Sequence, residues 1–233
     1  MRKLLLGLAT VGVLAVAGVS QAAVGTVELS WDGCTGPVDK STTTPDFYSI
    51  FVTVIGHDQP HRAYDVRVLY GNASQEVPDA WRFDIDGCET SAGITQDVTS
   101  KLCPAFDQDP DSAAFTIRYV RFSPVTDAYP TTLMQVLLAH VYPSVTTVDP
   151  STRYFLERIR FDLTYAVAGA GSATTCGGFE QLMYFKLTYA TWLDTNGTEI
   201  PFNRSNPPPT LTFNGSTPVQ PTTWGSIKSQ YRN

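Results

Sequence analysis

A chain of 233 residues with 16 Lys and Arg against 22 Asp and Glu, a net charge of −6, has no concentration of positive charge with which to hold nucleic acid or an anionic membrane surface. Charged residues make up only 16% of it and aromatic residues 12%, while Thr, Ser, Gly and Pro are abundant. That balance suits an extracellular β-protein better than a cytosolic helical enzyme.

The chain opens with a targeting segment. Arg2 and Lys3 precede an apolar run from Leu4 to Val19, and Ser20-Gln21-Ala22 places small residues where a signal peptidase cleaves. Residues 1–22 are therefore read as a secretory signal peptide, the run being shorter than the roughly 20 residues that a bilayer span needs. Cleavage after Ala22 leaves 211 residues, removes Arg2 and Lys3 to bring the charge to −8, and exposes no N-terminal cysteine for lipidation. No later apolar run is long enough to span a membrane. Residues 23–216 are read as one β-domain and 217–233 as a linker with a short amphipathic tail.

Within the domain, apolar residues recur every second position, the signature of half-buried strands. Val24–Trp31 and Phe47–Ile55 come first. From Arg62 to Tyr70, Tyr64, Val66, Val68 and Tyr70 share one face and Asp65 and Arg67 point the other way. Ala80–Ile85 and Phe115–Phe122 follow. Leu133–Val141 is assigned as strand, although its Leu-Met-Gln-Val-Leu-Leu-Ala stretch also suits a short helix. Between Phe155 and Tyr165, Phe155, Ile159, Phe161, Leu163 and Tyr165 point inward, with Arg158, Arg160, Asp162 and Thr164 outward and Glu157 the one misfit on the inner face. Leu182–Trp192, Glu199–Phe202 and Thr210–Phe213 complete about ten strands, the pattern of an all-β, two-sheet antiparallel sandwich of immunoglobulin-like or jelly-roll type. Asn196-Gly197 tolerates the positive φ of a tight hairpin turn. Asp194, Asn196 and Glu199 would make at most half a calcium loop, so the turn is the better reading.

Several of these segments also resemble the cohesin-like and carbohydrate-binding-module-like β-sandwiches of secreted bacterial proteins. Phe47–Ile55 with Ala63-Tyr-Asp-Val-Arg-Val-Leu-Tyr-Gly71 looks like the early strand pair of that superfamily. Leu156–Thr164, Leu182–Ala190, the Asp194–Gly197 hairpin, Glu199-Ile-Pro201 and Thr210–Gly215 look like its closing strands. The resemblance implies a cohesin-like fold and non-catalytic extracellular binding, with a protein or a polysaccharide as partner. It assigns no binding residues, and because cohesins work as tandem modules whereas no repeat is found here, a dockerin partner does not follow. The Trp224-Gly-x-x-Lys228-x-x-Tyr231-Arg232 ending is similar to that of small exported bacterial proteins, a likeness that implies no activity.

Four cysteines follow the leader, and export carries them into an oxidising space where two disulfides are the economical outcome. Three pairings are open. The short closure favours Cys88 with Cys103, which leaves Cys34 with Cys176.

Few residues have the spacing that chemistry requires. His57-Asp58-Gln-Pro-His61 holds two imidazoles near a carboxylate, but a zinc or copper site needs three or four ligands and His140 is distant in sequence, so a polar turn is expected. Asp107, Asp109 and Asp111 alternate as calcium ligands do, yet no glycine or closing glutamate follows at the right offset, and a solvated acidic loop is the simpler reading. There is no Gly-x-Ser-x-Gly elbow, phosphate-binding glycine loop or His-Glu-x-x-His string, so no enzymatic activity is expected, and no cofactor other than a calcium ion weakly held by that acidic loop at extracellular concentrations. Exposed faces of Trp31, Trp81, Tyr184 and Trp192 would stack on sugar rings, although alternation should turn most aromatics inward. Asn72, Asn196, Asn203 and Asn214 open Asn-x-Ser/Thr sites common by chance in such a chain. Finally, Thr223 is placed to cap a short C-terminal helix with Trp224, Ile227 and Tyr231 on one face, a stripe suited to docking on the sandwich or on a partner.

Overall fold

The computed structural model describes residues 24–72, 74, 76–83, 87–89, 94–95, 103–104, 106, 115–122, 133–169, 176–203 and 209–215. The expected signal peptide, the Asp107, Asp109 and Asp111 loop, and the tail helix bearing Trp224, Ile227 and Tyr231 all lie outside the described residues.

Its strands in chain order are β1 (Val24–Trp31), β2 (Asp39–Lys40), β3 (Phe47–His57), β4 (His61–Asn72), β5 (Ile94–Thr95), β6 (Phe115–Phe122) and β7 (Met134–Thr146). They continue as β8 (Tyr154–Asp162), β9 (Ala166–Val167), β10 (Cys176–Gly177), β11 (Met183–Leu193), β12 (Glu199–Pro201) and β13 (Thr210–Phe213). One sheet has the order β1-β3-β8-β5, and a larger one the order β2-β13-β11-β4-β7-β6 with β12 on the end of β11. Every pair in the smaller sheet is antiparallel, whereas β2 joins β13 in parallel and β9–β10 form a separate parallel pair. From Met134 on, the segment Leu133–Val141 is thus strand rather than helix.

The inner faces carry the residues that alternation selects. Val27, Leu29, Ile50, Val52 and Val54 of the smaller sheet meet Tyr64, Val66, Val68, Tyr70, Val136, Leu138, Phe185 and Leu187 of the larger in one buried cluster. Fully burying a side chain of this size is worth about 1.5–3 kcal/mol, so this double layer is the main source of stability. The sheets are also stitched directly. Trp31 Nε1 donates to the Thr212 carbonyl at 2.9 Å, and Asn203 exchanges backbone hydrogen bonds with Gly25 and Val27 along the edge of β1.

Four expectations are corrected. Of the expected strand Ala80–Ile85, the described part, residues 80–83, is not strand: Pro78, with φ −61°, leads into a 3-10 turn over Asp79–Trp81 that drops Trp81 between Phe161 and Phe213. In β8 a bulge opposes Val52 to Glu157 and Thr53 to Phe155, leaving Leu156 as the extra residue. The side-chain parity therefore reverses, Leu156 fills the core, and Phe155 turns to the outer face beside Phe51. Tyr165 lies beyond the end of β8 and is 80% exposed instead of inward.

The disulfides are Cys34–Cys103 and Cys88–Cys176, not the short closure. Backbone pairing decides this. Phe106 N–H donates to the Phe155 carbonyl and Phe155 N–H to the Pro104 carbonyl, which lays Cys103 against the outer face of the smaller sheet where Cys34, Phe51 and Phe155 cluster. Closing a loop costs entropy that grows only slowly with its length, so nearness in sequence is a poor guide to pairing.

Candidate binding face

Along β4, β7 and β11 of the larger sheet the outward positions are Ala63, Asp65 and Arg67; Ala139 and Val141; and Tyr189, Thr191 and Leu193. The register sets them side by side: Asp65 lies between Ala139 and Thr191, and Ala63 between Val141 and Leu193. Two small alanines flanked by larger side chains leave a trough of about 240 Å³, closed at one end by Glu199 of β12.

Its polar side chains are fixed by one another. Arg67 donates to both carboxylate oxygens of Asp65, at 2.7 and 3.2 Å, and its guanidinium lies 4.2 Å from the Tyr189 ring centroid. The Tyr189 hydroxyl in turn donates to Glu199 Oε1. A bulge after Leu187 makes this possible, because it shifts the outward position of β11 to Tyr189 opposite Arg67. Thr188, the bulged residue, donates its hydroxyl to the Arg67 carbonyl at 3.1 Å. The result is a surface with an apolar floor, one paired cation and two hydrogen-bonded carboxylates. Pre-set side chains lose little conformational freedom when a partner covers them.

The residues singled out for sugar stacking are placed otherwise. Trp31 and Trp81 are fully buried and Trp192 is 2% exposed, so none of the three offers a ring face to a polysaccharide; Tyr184 on β11 is half-buried. The reason is the size of the core, which takes large aromatic rings at the inward positions of β1 and β11 and at the 3-10 turn. Asp194 makes a turn, as expected: its Oδ1 accepts the N–H groups of Asn196 and Thr198 at 2.8 and 2.7 Å, and Gly197 holds φ +80°. The Thr198 N–H bond, first, holds the Asp194 carboxyl below the usual carboxylate range.

All three histidines are buried, and they are brought closer than their spacing implied. His57 Nε2 lies 3.2 Å from His61 Nδ1, and His140 stacks on Tyr64 with ring centroids 5.9 Å apart. Tyr64 donates to Glu157 Oε1 and to the Leu156 carbonyl, each at 3.0 Å, which accounts for the carboxylate on the inner face. Among the described residues no group of three His, Cys, Asp or Glu side chains is arranged to hold a metal ion. Sequence reasoning missed the trough, whose members come from β4, β7, β11 and β12; the only local sign was the Asp65–Arg67 alternation.

No family model matches the chain, and no curated protein matches it. Solved structures do. A cohesin module of a family 33 glycoside hydrolase from Clostridium perfringens is 10% identical, with a TM-score of 0.39 over 83% of this chain and 99% of that one. The second type II cohesin module of the adaptor ScaA scaffoldin of Acetivibrio cellulolyticus is 11% identical, with a TM-score of 0.41 over 88% and 97%. The Coh-OlpA–Doc918 structure, a type I cohesin–dockerin complex from Clostridium thermocellum, matches at 10% identity and a TM-score of 0.37 over 81% and 97%. The chain is similar to cohesin modules at TM-scores below 0.5, and its β-sandwich architecture rests on the strand pairing described above.

Proposed function

We propose that the protein is an exported, non-catalytic binding module that contacts another protein through the outer face of β4, β7 and β11. The trough around Ala139, Arg67 and Tyr189 carries this reading: it is concave, apolar at its floor, and lined by charges already held in place. Its shape suits a side chain or backbone ridge of a partner better than a reacting substrate. Asp65 is committed to Arg67 and Glu199 to Tyr189, so neither is poised as a base beside a nucleophile. The proposed extracellular setting is supported by the leader sequence and by the two disulfides.

The test is to immobilise the mature protein and an Ala139→Arg variant and expose both to the producing organism's secreted proteins. Ala139 is an outward, half-buried position, so the variant should keep the wild-type melting temperature. Capture of the same defined polypeptide should fall by about tenfold or more, the loss that 1.4 kcal/mol of binding free energy gives. Equal capture by both would remove the trough as the contact. Retention of wild type on insoluble polysaccharide, lost in the same variant, would replace the protein partner with a glycan.

A further inference from the structure

The turn between β3 and β4 ends in a buried histidine pair. His57 Nδ1 sits 3.2 Å from the Val24 carbonyl of β1, so that nitrogen carries the hydrogen and donates it. Its Nε2 is then the acceptor, and His61 Nδ1, 3.2 Å away, donates to it while also lying 3.3 Å from the Gln59 carbonyl. This assignment of protons follows from the two carbonyls, which can only accept.

Around the pair there is little but hydrocarbon. Phe106 stacks on His61 with centroids 4.1 Å apart and planes 9° from parallel, and lies 5.4 Å from His57. Trp192 of β11 and Phe202, just past β12, stand 4.8 and 5.6 Å from His57. Both imidazoles and Phe106 are at most 1% exposed. Among the described residues the charged or titratable groups facing this region are Asp58 in the turn, Tyr64 on β4, Tyr154 of β8 against Phe106 and, behind Tyr64, His140 of β7 and Glu157 of β8.

The rings are held differently. Trp192 belongs to a strand paired on both sides and Phe202 donates its N–H to the Ala190 carbonyl, whereas Phe106 is tied by its N–H bond to the Phe155 carbonyl, by the Pro104 carbonyl accepting from Phe155, and by the nearby Cys34–Cys103 bridge.

We propose that Phe106 is an acid-released plug: a proton taken up by the His57–His61 pair drives it out of the core end, and the Cys34–Cys103 bridge keeps it tethered so that it reseats at neutral pH. Protonation sets the demand for movement. The first proton enters at His61 Nε2, which keeps the Nδ1 hydrogen donated to His57 Nε2 but places a cation inside the buried pair. A second proton leaves two donors facing each other across 3.2 Å. In either case a cation lies in a site at most 1% exposed, and displacing Phe106 admits solvent while, among the described residues, breaking one backbone hydrogen bond, that of its N–H to the Phe155 carbonyl. Burial already pulls the His57 titration below its ordinary value of 6.5, with the Val24 and Gln59 backbone bonds and the Asp58 charge pulling the other way, so release belongs to acid conditions.

Amide hydrogen exchange read by NMR tests this, with rates corrected for intrinsic pH dependence. Between pH 7.5 and pH 5, protection of the Phe106 and Phe155 amides should fall by about tenfold or more, with Phe185 in β11 unchanged. The midpoint should coincide with the chemical-shift titration of a ring proton of His57 or His61 in the same sample. His57→Asn, or His61→Asn if the first does not fold, should abolish the pH-dependent loss. Unchanged protection in wild type, a midpoint matching neither ring, or a loss that survives both substitutions would overturn the plug.

Discussion

Glu89 is a carboxyl held where water does not reach. It is 6% exposed, Oε2 accepts the Asp162 N–H at 2.9 Å, and Oε1 has no hydrogen-bond partner among the described residues. Desolvation raises its pKa from 4.5 to about 8, the Asp162 bond opposing in part. The native state therefore keeps a proton that the unfolded chain loses, and stability must fall as pH rises from about 4.5 to about 8. Glu89→Gln, an uncharged isostere, should match wild type near pH 4 and unfold at higher urea than wild type at pH 8.5. His57 acts in the opposite sense, since its depressed titration removes stability as pH falls below 6.5. Tyr64→Phe should cost about 1–3 kcal/mol in urea unfolding at pH 7, because the one buried hydroxyl hydrogen that Glu157 and the Leu156 carbonyl share is lost. Alternation had placed Tyr64 inward and marked Glu157 as the misfit, but the two lie 93 residues apart and no local pattern joins them. Trp31, Trp81 and Trp192 were ambiguous for a related reason: a tryptophan at an alternating position has the same spacing whether the face it joins is covered or open.

Strands were legible where period two runs unbroken. Val24–Trp31, Phe115–Phe122 and Thr210–Phe213 have the ends that alternation gave them, and the Asp194–Gly197 hairpin carries the turn its Asn-Gly pair requires. Bulges and turns were not legible, because one inserted residue reverses parity without changing composition; Phe155 on the outer face and Tyr189 opposite Arg67 both arise that way. Disulfide pairing was hidden for a different reason. The bonded cysteines are 69 and 88 residues apart, and their meeting depends on the pairing of Pro104 and Phe106 with β8 and of β10 with β9. Proteolysis without reduction should yield linked peptides containing Cys34 with Cys103 and Cys88 with Cys176; a peptide joining Cys88 to Cys103 would contradict the arrangement. Each bridge closes a loop long enough to stabilise by about 4–5 kcal/mol on the chain-entropy account, so double serine replacement of either pair should be strongly destabilising.

At the scale of the whole molecule, the two sheets bury one face each and differ in what they turn outward. The smaller sheet is overlaid by the Cys34–Cys103 cluster with Phe51 and Phe155, whereas the larger presents the trough. The proposed working surface is therefore on β4, β7 and β11, a face that exists only once β11, from late in the chain, has paired with β4 from its first third. A photo-crosslinking amino acid placed at Ala139, and separately at Ser49 on the outer side of β3, in cells exporting the protein tests that claim directly. The account predicts a discrete protein adduct from position 139 and none from position 49; an adduct from position 49 with none from position 139 would contradict it.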